Sequence, residues 1–309
     1  MPSWHTIAID RGDVGVRIDR VLLRHLAHLP GVSRNRLQRL LAAGGVHING
    51  RPVSRPSRRV GAHDEVRVAL PERRLRAKPA AEPLPLEILH EDDALLVVNK
   101  PPGIVSHPAI RHATGTLLNA LLAHAGDRWT PSLVGRLDQW TSGAVVVAKR
   151  KTVHTMLQRL SLEGGIEKDY LAVVAGKPPS RGRIDLGLDR DPWDRRRMMA
   201  RDRGGMPSET RFARLRHVTM EGGRTLALVR CRLITGRMHQ IRVHLAARGW
   251  PILGDRTYGV ASPHIARQAL HAWRIAFRHP VTSDAIEVIA RPPGDMVSLL
   301  ALLGAREIG

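Results

Sequence analysis

Between positions 71 and 86 the prolines Pro71, Pro79, Pro83 and Pro85 recur among Arg and Ala, so neither a helix interior nor a central strand can run through this stretch. It reads as a semi-extended, mobile linker that separates a short N-terminal segment from a long C-terminal one. The 309 residues, 43% of them apolar, are enough for about two domains with real cores.

The N-terminal segment reads as two helices and a small sheet. Ile18, Val21, Leu22, Leu26 and Leu29 recur at helical spacing, with Arg20 and Arg24 outside. Pro30-Gly31 breaks that helix and Ser33 is placed to cap the next. The second helix turns Leu37, Leu40 and Leu41 inward and Arg34, Arg36 and Arg39 outward, and Gly44-Gly45 stops it. Val46 to Val53 forms a hairpin around an Asn49-Gly50 turn, and Glu65–Leu70 supplies a closing strand. Ser33-Arg34-Asn35-Arg36-Leu37, Gly45-Val46-His47-Ile48-Asn49-Gly50 and Gly61-x-x-Asp64-x-Val66 together resemble the S-four-type RNA-binding domain, the alpha-L motif, over residues 15–70. Three arginines on one helix face would by themselves be only a solvated surface. With the full pattern they are candidate RNA contacts.

Charge points the same way. Lys and Arg number 49 against 28 Asp and Glu, a formal +21, and all but six of the cations are Arg. A GC-rich genome favours Arg but does not create an excess over acids. The excess implies a polyanionic partner, of which nucleic acid is the commonest, against the alternative of a generically basic surface. Aromatic residues make up only 3%, which argues against a platform of several stacked rings and makes each Tyr individually informative. The single Cys231 excludes a disulfide scaffold and a thiolate zinc cage. No apolar run reaches the ~18–20 residues of a membrane helix, and Met1–Asp10 lacks a secretory pattern, so a cytoplasmic protein is expected.

From Glu87 onward short strands are separated by Gly/Pro turns. Strands are expected over Leu95–Val98, Gly143–Ala148, Leu171–Val174, Thr225–Leu233 and Ala285–Ile289, and helices over Thr116–Ala123, Val153–Leu160 and His239–Ala247. Without regular alternation of strand and helix the fold class is α+β rather than doubly wound. The expected organisation is an N-terminal extension (1–14), the RNA-binding module (15–70), the linker (71–86) and a catalytic domain (87–309).

Phosphate loops, dinucleotide fingerprints, the Gly-x-Ser-x-Gly elbow and Cys-x-x-Cys are all absent. His239 and His244 are five apart with no carboxylate between them, the wrong spacing for a helical zinc pair. What remains is a series of polar segments set against apolar strands. The strand Leu95–Val98 runs into Asn99-Lys100-Pro101-Pro102-Gly103, a rigid turn expected to bring Asn99, Lys100 and His107 together. Asp138 follows Arg136 by two residues and precedes a core strand. It is either a turn carboxylate hydrogen-bonding the Thr141 or Ser142 backbone, or a nucleophile or general base kept ionised by a cationic neighbour. Tyr170 opens a strand in Glu167-Lys168-Asp169-Tyr170, and further polar segments are Gly236-Arg237-x-His239-Gln240-Ile241-Arg242, Gly254-Asp255-x-x-Tyr258-Gly259 and Leu270-His271-Ala272-Trp273.

Taken in this order, from about Leu86 to about Arg291, these segments are similar to the RluA-type family of RNA pseudouridine synthases, most specifically in Arg136-Leu137-Asp138-x-x-Thr141-Ser142-Gly143 and the Gly236–Arg242 segment. The resemblance implies a mixed, largely antiparallel central sheet with flanking helices and loops. It also implies isomerisation of uridine to pseudouridine in RNA by a monomer that needs no metal, redox partner or nucleotide cofactor. Asp138 matches the family's catalytic aspartate, Arg242 its basic partner, and Tyr170 the tyrosine that stacks on the target base. Arg136 matches the arginine that fills the gap left by the flipped nucleotide. The family usually carries His where this chain has Gly135. An N-terminal S-four-type module implies a large-subunit ribosomal RNA target. Transfer RNA is the alternative substrate, and a non-catalytic RNA-binding or ribosome-assembly factor the alternative role.

Overall fold

The computed structural model describes residues 3–27, 32–70, 79–108, 112–194 and 196–305. Two units emerge, Met1–Ala77 and Lys78–Gly309.

The first unit contains β1 (Ser3–Ile7), α1 (Ile18–His25), α2 (Arg34–Ala42), β2 (Val46–Ile48), β3 (Arg51–Pro52) and β4 (Val66–Leu70), with the antiparallel sheet ordered β1-β4-β2-β3. Ile18, Val21 and Leu22 of α1 and Leu37 and Leu41 of α2 are buried against Val46, Val66 and Val68 of the sheet. Ser33 caps α2 by accepting from Arg36 N. Asn49 (φ 51°) and Gly50 (φ 75°) form the expected turn. Its Asn49 side chain accepts from Glu65 N (2.8 Å) and donates to Asp64 Oδ1 (2.9 Å), while Asp64 Oδ2 accepts from Gly61 N. The polar residues of the module's signature therefore tie its hairpin to its last strand.

Two boundaries differ from expectation. The described part of the expected extension 1–14 is not an appendage, because β1 pairs with β4 from Ser3↔Leu70 to Ile7↔Val66 and Ile7 is buried. The Pro30-Gly31 break and residues 71–78 of the expected linker lie outside the described residues. The rest of that linker is anchored rather than loose. Glu82 N donates to Asn119 O, Asn119 Nδ2 donates to Ala80 O, and Glu82 Oε2 accepts from Gly115 N.

The second unit runs β5 (Glu87–Glu91), β6 (Leu95–Lys100), α3 (Leu117–Ala125), β7 (Ser132–Leu133), β8 (Ser142–Ala148), α4 (Lys151–Leu162), β9 (Ile166–Ala175), β10 (Arg181–Ile184), β11 (Gly187–Arg190) and β12 (Met198–Arg201). It continues through β13 (Thr210–Thr219), β14 (Thr225–Leu233), α5 (Gln240–Ala247), β15 (Leu270–Arg278), β16 (Ala285–Ile289) and α6 (Gly294–Leu302). The large sheet is ordered β10-β13-β14-β9-β15-β8-β6-β5, with β16 beside β15 and β7 beside β8. Every pairing is antiparallel except β8 with β15. This is the mixed, largely antiparallel α+β architecture. Both faces of the central strands are covered. Leu96, Val98, Val145 and Val147 enter one core, and Leu95, Val97, Val146 and Ala148 the other. Continuous apolar runs such as Leu95–Val98 follow from that two-sided burial, where a half-exposed sheet would show alternation.

At the parallel junction, Gly143 (φ 118°) crosses Ala272 so closely that a Cβ would sit 2.2 Å from Ala272 O. Only glycine permits this approach. It brings the loop preceding β8 beside β15. Among the described residues no helix is long and apolar enough to cross a membrane.

Candidate active site

The loop from Val134 to Thr141 enters β8 and is held from below. Ser106 Oγ donates to Leu137 O (2.9 Å) and accepts from Leu137 N (3.2 Å). Lys100 Nζ, fully buried, donates to Pro101 O, Ile104 O and Gln139 O at 2.9, 2.9 and 3.1 Å. Burial pushes the Lys100 pKa down to about 7, against the opposing pull of the Asp138 charge. Asn99, on the other side of the same strand, donates instead to Glu87 Oε2 and Arg291 O, and His107 is exposed. The expected grouping of Asn99, Lys100 and His107 does not form, because adjacent residues of a strand point to opposite faces.

Between these anchors stands Asp138. Its main-chain carbonyl accepts from Thr141 N (3.1 Å), so the turn is closed by backbone and the carboxylate is left free of that duty. Asp138 Oδ2 accepts from Arg242 Nη1 at 2.9 Å. Arg242, 6% exposed, gives Nε and Nη2 to Asp255 at 2.7 and 2.8 Å, and Asp255 also accepts from Thr257 N and Tyr258 N. Burial opposes the guanidinium charge, yet the Asp255 hydrogen bonds and the two carboxylate charges outweigh it and raise the Arg242 pKa. A permanent cation therefore faces Asp138.

Arg242 is aimed by the start of α5. Gln240 Oε1 accepts from Arg237 N and Thr235 Oγ1, while its Nε2 donates to Glu209 O and Thr210 Oγ1. His244, fully buried one turn later, lies 3.0 Å from Thr210 Oγ1 and 3.1 Å from Leu186 O. His239, expected as the first helical residue, is instead the N-cap in the left-handed region (φ 56°). This strained conformation sets His239 Nε2 3.8 Å from Asp138 Oδ2 and Nδ1 2.9 Å from the Tyr258 hydroxyl, which accepts from Met198 N. Burial lowers the His239 pKa, so the ring facing Asp138 is neutral near pH 7.

Asp138, Arg136, Tyr170 and Arg242 all line one cavity of about 410 Å³, a size suited to a small-molecule or single-base site. Tyr170 is buried in its wall. Burial, with the Asp138 charge adding to it, raises its pKa and keeps the phenol protonated. Arg136 is exposed at the rim. Arg34, Arg36 and Arg39 belong to the first unit, where Arg34 and Arg39 are exposed, Arg36 is half-buried, and Arg34 reaches Asp19 at 3.6 Å. The sequence assigned no role at the site to Lys100, His239, Asp255 or Tyr258, although each stands in one of its polar segments. Asp255 was the most findable, as the one acid between Gly249 and Gly259 in a chain short of acids.

Compared with known proteins, residues 94–247 match the RNA pseudouridylate synthase family and residues 16–66 the S4 domain. The chain is 38% identical over 306 residues to a ribosomal large subunit pseudouridine synthase D of Neisseria meningitidis serogroup B, covering 94% of this chain and 79% of that protein. It is 35% identical to the synthase of the same name from Zymomonas mobilis, with 94% of each covered. The chain belongs to the RluA-type family of RNA pseudouridine synthases. Among solved structures, human RNA pseudouridylate synthase domain containing 1 superimposes with a TM-score of 0.57 at 29% identity, over 72% of this chain and 90% of that one. This synthase is thus an isomerase of uridine in RNA, and its S-four-type module is an RNA-binding domain.

For a pseudouridine synthase the cavity's contents are chemically apt. The reaction breaks the N1–C1′ bond, turns the uracil and joins C5 to C1′, moving one proton from C5 and supplying one to N1. The cavity offers a carboxylate beside a fixed cation and a protonated phenol in its wall, group types suited to such proton transfers.

Proposed function

We propose that this synthase converts uridine in large-subunit ribosomal RNA, as a cytoplasmic monomer, with Asp138 as its catalytic residue. The observation that carries the reading is the Asp138–Arg242–Asp255 chain. The only one of these groups that opens substantially to the cavity is Asp138, 26% exposed, against 6% for Arg242 and none for Asp255. Attack on the base, attack on C1′ and removal of a sugar proton all demand a carboxylate at Asp138, and the Arg242 guanidinium 2.9 Å away pairs with that charge. Tyr170 offers a flat face to the uracil and, being protonated, a hydroxyl that donates rather than accepts a proton. Arg136 at the rim is placed to occupy the gap left in the RNA stack.

Extrusion of a base costs a few kcal/mol, least in a loop, and phosphate contacts must offset it. The +21 charge and the Arg34, Arg36 and Arg39 row support this source of affinity. The large-subunit target is supported by the names of the Neisseria and Zymomonas relatives together with the S-four-type module.

Carbodiimide mapping of pseudouridine in all RNA from cells with and without the gene tests the reading. Loss of one or a few large-subunit signals, restored by wild type and not by Asp138→Ala, is the expected result. A transfer-RNA signal would move the target, and no change in any RNA would favour an assembly factor.

A further inference from the structure

We propose that the groove beside Asp138 holds the nucleotide next to the flipped uridine, its base stacked on Trp140 and its phosphate taken by Arg197 and Arg256. This inference rests on the synthase reading and extends it to the flanking RNA.

The groove, about 800 Å³, is continuous with the uridine cavity, sharing Asp138, His239 and Arg242 with it. A strand whose base enters one therefore passes its neighbour into the other. The acids lining the groove are each matched. Asp138 is held by Arg242, Asp194 by Arg196 (3.0 Å to each oxygen) and Asp295 by Arg267 (2.7 and 2.8 Å). Arg197 and Arg256, both exposed, have no carboxylate partner among the described residues. Arg197 lies over the Tyr258 ring (5.5 Å to its centroid) and near Asp194, which is itself bonded to Arg196, so the two guanidinium groups keep hydrogen-bond donors for an anion, and a phosphodiester is the anion that RNA brings to this groove.

Trp140 supplies the other half. It is 47% exposed in a chain with few aromatic residues, two positions after the catalytic aspartate. The turn under it is rigid. Trp140 O accepts from Arg267 Nη1 (3.0 Å), and Gln139 exchanges hydrogen bonds with Gly103 through its carbonyl and its side-chain amide. The benzo ring rests on Gly103 (φ 95°), where a Cβ would come within 3.3 Å of Cζ3. An indole seated on one side and open on the other loses little freedom when a base stacks on it. Flipping strips a base of its stacked neighbour, and Trp140 replaces that neighbour.

The test uses the full chain and the RNA fragment identified by mapping. Trp140→Ala should raise KM by about 5- to 150-fold, the usual range for one lost base–aromatic stack, with kcat changed far less. Trp140→Phe should recover most of that loss. With an abasic nucleotide on the 5′ or the 3′ side of the target uridine, wild type and Trp140→Ala should become alike for one of the two sides. A ratio unchanged by both abasic RNAs overturns the stacking. Arg197→Ala and Arg256→Ala should each lower the slope of log Kd against log salt by about one; an unchanged slope in the double variant overturns the phosphate role. The same comparisons made by binding, in an Asp138→Asn background on a short uridine-loop hairpin, do not depend on turnover. If wild type makes no pseudouridine, the synthase reading fails on its own, while Trp140→Ala binding that hairpin as tightly as its parent sinks this proposal.

Discussion

Asp255 holds Arg242 through two parallel hydrogen bonds of 2.7 and 2.8 Å, and this leaves a single Nη1 edge directed at Asp138. Asp255 is wholly buried while Asp138 is a quarter exposed, so the two carboxylates on one arginine have different work. The buried pair builds the cation into the fold. The exposed one faces the cavity.

That asymmetry predicts a separation of stability from activity. Asp138→Asn should change unfolding free energy by no more than about 1 kcal/mol, because Arg242 keeps its bidentate partner, while pseudouridine formation is lost. Asp255→Ala leaves Arg242 Nε and Nη2 unpaired in the core, with Asp138 on Nη1 alone, and should cost about 3–5 kcal/mol, read by urea denaturation. Equal stability losses in the two variants would refute the division.

Two glycines flanking the same loop should respond oppositely. Gly143→Ala meets Ala272 O at 2.2 Å in a left-handed backbone and should destabilise by more than about 4 kcal/mol, seen as a collapse in thermal midpoint or soluble yield. At Gly135 a Cβ meets nothing within 4 Å, so Gly135→His, which restores the residue usual in the family, should stay within about 0.5 kcal/mol of wild type and keep its activity.

His271 gives the fold an acid-sensitive joint. Its Nε2 donates to Ala290 O at 2.9 Å, and its Nδ1 lies 2.9 Å from Ser142 Oγ, a hydroxyl able to donate to a neutral ring. Burial lowers its pKa from 6.5 to about 4. Below pH 6.5 the unfolded chain binds a proton that the native state refuses, so its contribution to stability falls as pH drops from about 6.5 to about 4 and is level above that window. His271→Gln should flatten this part of the stability–pH curve measured by urea titration at successive pH values.

The arginine row of the first unit should control salt dependence and not chemistry. In Arg34→Ala, Arg36→Ala and Arg39→Ala combined, the slope of log affinity against log salt should shrink by about three if each contacts a phosphate. Single-turnover conversion at saturating enzyme should stay near wild type. An unchanged slope would put the RNA path elsewhere, over Arg196 and Arg197 among other cations.

Much of the local structure was legible because its causes are local. The leucine spacing of α1 and α2, the Asn49-Gly50 turn and the apolar runs of β6, β8 and β14 depend on neighbours a few residues away. Elements whose character comes from distant partners were missed. β1 lies in a stretch that read as an extension, and it becomes a strand only against β4, at the far end of the first unit, in the register Ser3↔Leu70 to Ile7↔Val66. β13 is rich in exposed arginines, and β15 carries His, Trp and Arg that read as motif rather than strand.

At the site, the order of residues along the chain was enough to specify the chemical types: a scarce carboxylate after Arg136, an arginine in a polar helix start, and a tyrosine that read as opening a strand but stands inside β9, which begins at Ile166, because the polar residues before it pair with β14 and β15. Which charges meet is a property of the folded chain alone. Arg242 lies 104 residues from Asp138 and 13 from Asp255, and no periodicity reports that one guanidinium is divided between them. That contact joins the loop before β8 to α5, and such a meeting is fixed by packing between segments far apart in the chain, not by the residues beside them.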